Sequence, residues 1–350
     1  MTDPQWQDLL RVLDGRRLEA LPVGLIVDCP WLPGWAGMSI LDYLTDDKLW
    51  LKANLQAVRR FPDVMFLPGF WAEYGMCTEP SAFGGRCIWP ENDFPFAKTC
   101  LGDYADIARL AKPNCRTDGM CPFAIKRLKH CREEIEAAGH RIRFATSRGP
   151  MNIATYLLGH TETLIGVKTH PDEIHELLRI VTDFIVDWLG HQAAAFESID
   201  GLLVLDDLIG FLGENDFREF VVPYFKQICD SLDVKVKALH NDCHGLITAR
   251  YLETMGFNLF NFSFEHSLDE IRRAAGESVT LLGNIPPRDV LARGTADDVR
   301  RSVADAMASV EDTRRVILSV GGGTPPDVPT ENIEALCAAA GEVRLAPNGS

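Results

Sequence analysis

Eight short apolar runs, each followed by a helical pattern, constrain the fold of this chain more than any other feature. Runs such as LLVL (202–205) and VILSV (316–320) are almost continuously apolar, which is typical of strands buried on both faces of a parallel sheet. Repeated strand–helix units favour parallel strands joined by crossover helices. We therefore predict strands over Leu21–Asp28, Asp63–Gly69, His140–Thr146, Gly201–Asp207, Val234–His240, Phe257–Phe262, Val279–Ile285 and Arg314–Gly321.

Eight such units favour an α/β fold of the closed (β/α)₈ TIM-barrel type. The competing architecture, a doubly wound open sheet, normally carries a glycine-rich turn directly after its first strand, and DCPWLPGW (28–35) is not such a turn. Barrels of this length commonly form one unit, so we predict a single domain over residues 1–350.

Two helices carry their own sequence signals. Pro171 opens a long amphipathic pattern, and the acidic residues that follow it are favourable at a helix N-terminus. Thr295, with Asp298 three residues later, resembles a capping box. The helix that begins at Pro171 should bury a stripe of Ile174, Leu177, Leu178, Val181, Ile185 and Leu189.

A long segment at about residues 70–120 interrupts the alternation after the second strand. It is rich in glycine, proline and aromatic residues, among them Trp71, Phe83 and Trp89, and FGGRCIW (83–89) indicates a short hairpin. Long segments after a barrel strand lie at the C-terminal face, where active sites are built. The segment is either a lid-like insertion that walls a pocket or a purely structural cap.

The charge balance excludes some classes of function. Fifty acidic residues oppose 35 basic ones, for a net charge of −15, which argues against nucleic-acid or anionic-membrane partners. No run approaches the roughly 18 apolar residues of a membrane span, and the N-terminal residues lack a signal-peptide pattern. The ten cysteines include no Cys-x-x-Cys pair, so reduced thiols in a cytoplasmic enzyme are expected.

Polar residues follow the predicted strands at their C-terminal ends. The first strand ends in Asp28, the fourth in Asp206 and Asp207, the fifth in His240 and the seventh close to Asn284. A barrel places all of these ends around one mouth.

The segment LHNDCHG (239–245) is the densest chemical signal of the chain. Imidazole nitrogen, carboxylate oxygen and thiolate sulfur are the ligands of zinc, which makes His240, Asp242 and Cys243 candidate metal ligands. His240 and Asp242 share one side of an extended segment, whereas Cys243 points elsewhere unless the chain turns. The alternative is a hydrogen-bonded His240 in the mouth with Cys243 packed behind it.

Three carboxylates are further candidates. Asp206 and Asp207 are adjacent on a strand, so one should face the barrel interior and the other the helices. The inward one could orient a substrate amine, act as a general base or complete a metal site. The alternative for either aspartate is a helix-facing cap or an ion-pair partner. Glu79 in CTEP (77–80) is either a site residue or an exposed loop acid. GGGTPP (321–326) is an anion-binding nest or, as we favour, a turn.

Several motifs resemble the uroporphyrinogen decarboxylase superfamily, most strongly between residues 148 and 338. They are RGPMNIATYLLG (148–159), the DD of LLVLDDLIGFL (202–212), FREFVVPYFKQI (217–228), LHNDCHG, LLGNIPPRDVL (281–291) with ARGTADDVRRSV (292–303), and VILSVGGGTPPDVPTENIEAL (316–336). The resemblance implies the same barrel. It also implies one of two activities, porphyrinogen decarboxylation or corrinoid-dependent methyl transfer.

The true decarboxylases of this superfamily resemble one another in an N-terminal stretch whose arginines bind the carboxylates of the tetrapyrrole. Here the corresponding stretch, LPVGLIVDCPWLPGWAG (21–37), has no arginine and carries Asp28. Arginine pairing is the physical means of holding a polycarboxylate, so its absence favours the methyltransferase branch. A decarboxylase would depend on Arg86 and Arg148.

The methyltransferase branch implies zinc held by His-x-Cys and a later Cys. His240 matches the histidine, but the next position is Asp242, Cys243 comes one residue late, and VGGGTPP (320–326) holds no cysteine. Either a modified site uses His240 with Asp242 or Cys243 and a carboxylate such as Asp207 or Glu79, or the metal has been lost.

We therefore predict a zinc-dependent methyltransferase that acts with a corrinoid (cobalamin) cofactor or corrinoid protein. It would either remove a methyl group from a small methylated substrate, which is a demethylation, or transfer a methyl group to a small acceptor. Asp207 and Glu79 are the predicted catalytic residues. The alternatives are a decarboxylase of a carboxylated substrate in porphyrin biosynthesis and a scaffold without activity, and a homodimer remains open. The predicted substrate-binding residues are Asp28, Trp71, Asp206, Arg148 and Asn284.

Overall fold

The computed structural model of the chain describes residues 1–27 and 29–343. Over these residues the strands are β1 (Val23–Ile26), β2 (Val64–Leu67), β3 (Arg86–Ile88), β4 (Phe96–Lys98), β5 (Phe144–Arg148), β6 (Gly201–Leu205), β7 (Val236–Asn241), β8 (Leu259–Phe262), β9 (Thr280–Ile285) and β10 (Val316–Val320).

The α-helices surround these strands. They are α1 (Asp3–Leu13), α2 (Trp31–Trp35), α3 (Ile40–Thr45), α4 (Asp47–Arg60), α5 (Thr78–Ala82), α6 (Cys121–Ala137), α7 (Pro150–Leu158), α8 (His160–Thr169), α9 (Pro171–Ala195), α10 (Glu214–Phe220), α11 (Val222–Asp230), α12 (Gly245–Met255), α13 (Leu268–Ala275), α14 (Ala296–Ala308) and α15 (Thr330–Glu342). Tyr104–Arg109 and Leu208–Phe211 form 3₁₀ turns, and Pro287–Ala292 forms a π-helical turn.

The eight predicted strands are all confirmed, and they form one parallel sheet in the order β2-β1-β10-β9-β8-β7-β6-β5. The sheet curls into a barrel with helices outside, so the predicted α/β barrel class is confirmed. Predicted strand ends are the less accurate part. The strand predicted from His140 begins at Phe144, because residues 140–143 connect α6 to the sheet without pairing along it.

Strand side chains alternate between two cores. Those that point outward pack against the helices, and those that point inward fill the barrel with Ile26, Met65, Leu67, Phe144, Leu203, Leu205, Ala238, Leu259, Leu282 and Ile317. Helix α1 lies across the lower end of the barrel and adds Trp6, whose ring centroid is 5.5 Å from that of Phe144. A Cβ on Gly201 would lie 2.8 Å from the Phe144 ring, so only glycine fits there.

The two helices with sequence signals form as predicted. The six stripe residues of α9 are all buried, and α9 begins at Pro171 with Asp172 and Glu173 in its first turn. Thr295 and Asp298 form a reciprocal capping box at α14. No helix within the described residues is both long and apolar enough to cross a bilayer.

The segment that follows β2 contains α5 and an antiparallel hairpin. FGGRCIW (83–89) supplies one strand of this hairpin, β3, and β4 supplies the other, so the hairpin extends beyond the predicted residues. Phe83 packs against Phe184 with ring centroids 5.0 Å apart, and Trp89 contacts Tyr74 edge to face. A role of the segment as a lid stays a prediction.

We expect Trp6→Ala to lower the free energy of unfolding by about 3–5 kcal/mol, because it opens a cavity at the closed end of the barrel. Trp6 is 2% exposed, whereas the neighbouring Gln7 is exposed to solvent. Urea unfolding followed by circular dichroism would measure the change, with Gln7→Ala as the control. Equal stability of the two variants would contradict the role of α1 as a plug.

Candidate active site

A cavity of about 310 Å³ opens at the C-terminal ends of the strands. Its size is in the range of small-ligand sites. A larger depression of about 510 Å³ lies at the opposite end of the barrel, but Arg272 and Arg315 there donate to backbone carbonyls and hold structure. The upper cavity is lined by Ile26, Cys29, Pro30, Trp71, Glu73, Phe94, Arg148, Leu205, His240, Asp242, Pro287, Arg288, Gly323, Thr324, Pro325 and Pro326.

His240 is held in one orientation by Asn261 on the neighbouring strand. The Asn261 side-chain amide donates to the carbonyls of Leu282 (2.7 Å) and Val320 (3.1 Å), so its Oδ1 must face the imidazole. That oxygen lies 2.7 Å from His240 Nδ1 and can only accept, which places the proton on Nδ1. In the neutral ring, the lone pair therefore resides on Nε2.

His240 Nε2 faces two carboxylates. One donor atom from each of Asp207, His240 and Asp242 lies within 4.8 Å of the others, and Nε2 is 3.6 Å from Asp207 Oδ1. A neutral imidazole and two carboxylates all present lone pairs to one another. A proton shared within the group, a bridging water or a metal ion would each satisfy these lone pairs.

The donor set fits a zinc ion. One imidazole nitrogen and two carboxylate oxygens would leave a fourth position open, as catalytic zinc sites do. The second ring nitrogen of His240 already donates to Asn261, which is the usual support of a metal-binding histidine. The backbone N–H of Asp242 donates to Asp207 Oδ1 (3.2 Å) and holds the two acids together.

Cys243 is not part of this group. The chain turns after Asp242, and the Cys243 side chain packs against Gly210, where an added Cβ would lie 3.2 Å from its sulfur. Burial raises the pKa of the Cys243 thiol, which keeps it protonated. The structure thus brings together His240, Asp242 and Asp207 out of the predicted ligands, and it places Cys243 behind them.

Asp206 and Asp207 diverge as the alternation of strand side chains predicts. Asp206 is fully buried toward the helices, and its Oδ2 accepts from the backbone N–H groups of Met151 (2.9 Å) and Asn152 (3.2 Å) at the start of α7. Burial raises the pKa of Asp206 to about 8. Asp207 is half-buried and faces His240, and burial also raises the pKa of its carboxyl group. Asp206 lies outside the cavity lining, so substrate binding by Asp206 stays a prediction.

Glu79 is buried behind β5 and outside the cavity lining. Its Oε1 accepts from Ser147 Oγ (3.2 Å) and from the backbone N–H of Arg148 (3.1 Å). Its Oε2 is buried without a hydrogen-bond partner among the described residues. Burial raises the pKa of Glu79. The exposed-acid alternative is therefore excluded, and the catalytic role stays a prediction.

Arg148 lines the cavity as predicted, but its charge is compensated. Its Nη2 lies 2.6 Å from Glu73 Oε1, and both side chains are at least nine-tenths buried. The guanidinium carbon is 5.8 Å from the centroid of the Trp71 ring, which also lines the cavity. Two of the predicted substrate-binding residues therefore lie together in one wall.

The remaining predicted site residues are more distant or outside the described part of the chain. Asn284 is buried, donates to the carbonyl of His266 and does not line the cavity. Arg86, the other cation suggested for a decarboxylase, is exposed on the hairpin. Asp28 lies outside the described residues.

Asn261, Glu73 and Arg288 line or support the site but were not predicted from the sequence. Asn261 could have been predicted, because it is the one polar residue of β8 (LFNF) and shares the inward face with Leu259. Glu73 lies in an irregular segment after β2, and Arg288 lies in the π-helical turn after β9. No periodicity indicates which way such side chains point.

The comparisons with known proteins agree with this architecture. The profile of the family described as "Uroporphyrinogen decarboxylase (URO-D)" matches residues 5–343. Two relatives named uroporphyrinogen decarboxylase are 26% identical. The one from Xanthomonas euvesicatoria covers 94% of this chain and 96% of its own, and the one from Methylobacillus flagellatus covers 96% of each.

Two solved structures share the fold. A methyltransferase from Methanosarcina mazei has a TM-score of 0.79 at 19% identity, covering 95% of this chain and 96% of its own. A B12-independent methionine synthase from Shewanella sp. W3-18-1 has a TM-score of 0.53 at 12% identity, covering 92% and 97%.

The barrel with a polar mouth at its C-terminal end defines an α/β-barrel enzyme. With the profile match over almost its whole length, the chain belongs to the uroporphyrinogen decarboxylase family.

We expect Glu79→Gln to become more stable relative to the wild type as the pH rises above about 4.5. In the folded protein burial raises the pKa of Glu79, so the unfolded chain loses this proton first and wild-type stability falls with rising pH. The amide removes this titration. Urea unfolding at pH 5 and pH 7 would measure the difference, and Glu133→Gln on the exposed face of α6 is the control. A stability difference that does not change with pH would contradict the prediction.

Proposed function

We propose that this enzyme is a zinc-dependent methyltransferase that works with a corrinoid cofactor or a corrinoid protein. The observation that carries the proposal is the orientation of His240, whose Nε2 faces Asp207 and Asp242 while Asn261 occupies Nδ1. Three potential ligand atoms that converge in this way favour a cation between them, and a zinc ion held by three protein ligands would keep its fourth position for a substrate.

Asp207, His240 and Asp242 would hold a zinc ion, and this ion would supply a Lewis acid for an acceptor or for the leaving heteroatom of a methyl donor. A corrinoid would supply the group that gives or takes the methyl. The chain itself contributes position and shelter. Asp207, His240 and Asp242 orient the reacting end of the substrate, and Trp71 and Phe94 are the aromatic residues that shield it from water.

A donor set with two carboxylates and no thiolate suits a hard reacting atom. Thiolate ligands pass more electron density to zinc than carboxylates do, so the site described here would leave the metal more electrophilic. We therefore favour oxygen or nitrogen as the atom that loses or gains the methyl group.

Decarboxylation of a carboxylated substrate is the second candidate, because the curated relatives are named for it. The cavity is a poor host for a tetrapyrrole with eight carboxylates. It measures about 310 Å³, has the acidic residues Asp242 and Glu73 in its lining, and uses the charge of Arg148 in an ion pair with Glu73. A decarboxylase would bind carboxylated porphyrins and release CO₂ without any metal.

We expect about one zinc ion per chain in protein purified without a His tag, and its loss in His240→Ala. Elemental analysis measures the metal. Transfer of methyl groups between free cobalamin and methyl ethers, methylamines or thiols is followed by the absorbance of the corrinoid. Wild-type protein with much less than one metal ion per chain would contradict the proposal and direct the work to carboxylated tetrapyrroles.

We also expect Asn261→Ala to bind zinc about 10–100-fold more weakly, because His240 loses the partner that fixes its ring. Competition with a chelating dye measures the affinity. The matched control is Asn258→Ala, which removes two hydrogen bonds to the backbone of residues 235 and 237 at the lower end of the same strand. Equal zinc affinity in the two variants would show that Asn261 supports only the sheet.

A further inference from the structure

Arg288 lines the cavity and is not neutralised. It lies in the π-helical turn Pro287–Ala292 that follows β9, and its side chain is exposed. Its guanidinium makes no hydrogen bond or ion pair with any of residues 1–27 and 29–343. The other cation in the lining, Arg148, is paired with Glu73.

A second unused donor stands in the same lining. Thr324 follows β10, and its backbone N–H donates to the carbonyl of Ile26 (3.0 Å), which anchors it between β10 and β1. The residue is 6% exposed, and its Oγ1 is buried without a partner in the described part of the chain. Beside it, a Cβ added to Gly323 would meet nothing within 4 Å.

Among the described residues of the cavity, Arg288 is then the one charge that lacks a counter-charge, once a metal ion is bound as proposed. Glu73 compensates Arg148, and a divalent metal compensates the carboxylates of Asp207 and Asp242. A substrate that carries one negative charge would complete the balance. Arginine presents a planar fork that matches a carboxylate, and a threonine hydroxyl adds one donor.

We propose that Arg288 and Thr324 bind the carboxylate of a small substrate, and that this substrate is therefore a monocarboxylic acid. The inference rests on the proposed function, because the metal neutralises the acidic side of the cavity. The methylated or accepting heteroatom of the acid reaches Asp207, His240 and Asp242, while its carboxylate stays at the wall formed by the segments after β9 and β10.

Matched acids and amides test the role of this charge. The probes are 4-methoxybenzoate with 4-methoxybenzamide, and methoxyacetate with methoxyacetamide, because each pair has the same shape and differs in charge. Calorimetry on the full-length, zinc-supplemented protein should show at least one acid binding about tenfold or more tightly than its amide. Arg288→Gln should lose this preference and leave the affinity for the amide unchanged.

Two further variants separate the subsite from general effects of charge. Arg293→Gln removes an exposed arginine five residues farther along, which does not line the cavity, and should keep the wild-type preference. Thr324→Val keeps the shape, removes the hydroxyl, and should weaken acid binding by several fold. Thermal unfolding of each variant checks that the fold is intact.

The inference is overturned if the wild type binds neither acid more tightly than its amide, or if Arg288→Gln keeps the preference. Its failure is distinguishable from that of the proposed function. If the protein binds zinc and transfers methyl groups from neutral donors but shows no preference for acids, the proposed function is supported and the subsite is contradicted. If the protein binds no zinc but shows a preference for acids that depends on Arg288, the subsite is supported and the proposed function is contradicted.

Discussion

The side chain of Asn261 connects the sheet to the chemistry at its mouth. Two donors of one amide hold β9 and β10, and the oxygen of the same amide fixes the imidazole of His240 on β7. Because the amide cannot rotate without losing both carbonyls, the protonation of His240 Nδ1 follows from the pairing of the strands. The metal site that we propose at the mouth thus depends on the alignment of four strands, from β7 to β10, rather than on a flexible loop.

The cavity combines one buried ion pair with a few charged groups that have no oppositely charged partner among the described residues. The buried pair of Glu73 and Arg148 costs desolvation, and it is tolerated because the partners meet at 2.6 Å. Among the described residues, Asp207 and Asp242 beside His240 form no ion pair with an arginine or lysine, and Arg288 forms none with a carboxylate. Unpaired charges that line a cavity are typical of places where a ligand completes the electrostatics.

The sequence predicts correctly those parts of the fold that show a repeating pattern of apolar and polar residues. Continuous apolar runs located all eight strands of the barrel, and alternation predicted correctly that Asp206 and Asp207 diverge and that His240 and Asp242 share a side. It could not decide between Asp242 and Cys243, because that choice depends on where the chain leaves the strand and turns against Gly210. It also missed Arg288 and Glu73, because a single π-helical turn and an irregular segment set the directions of their side chains and neither has a repeating pattern.

The position of helix α1 affects how substrates can reach and leave the cavity. Trp6 and Leu9 pack against the side chains that fill the lower end of the barrel, and His240 lines the cavity at the upper end. Under the proposed function, a substrate that enters this cavity would leave by the same side, and a bulky methyl carrier would cover that side while it reacts. The small substrate and the carrier would then bind alternately, and the methyl group would stay on one of them while the other dissociates.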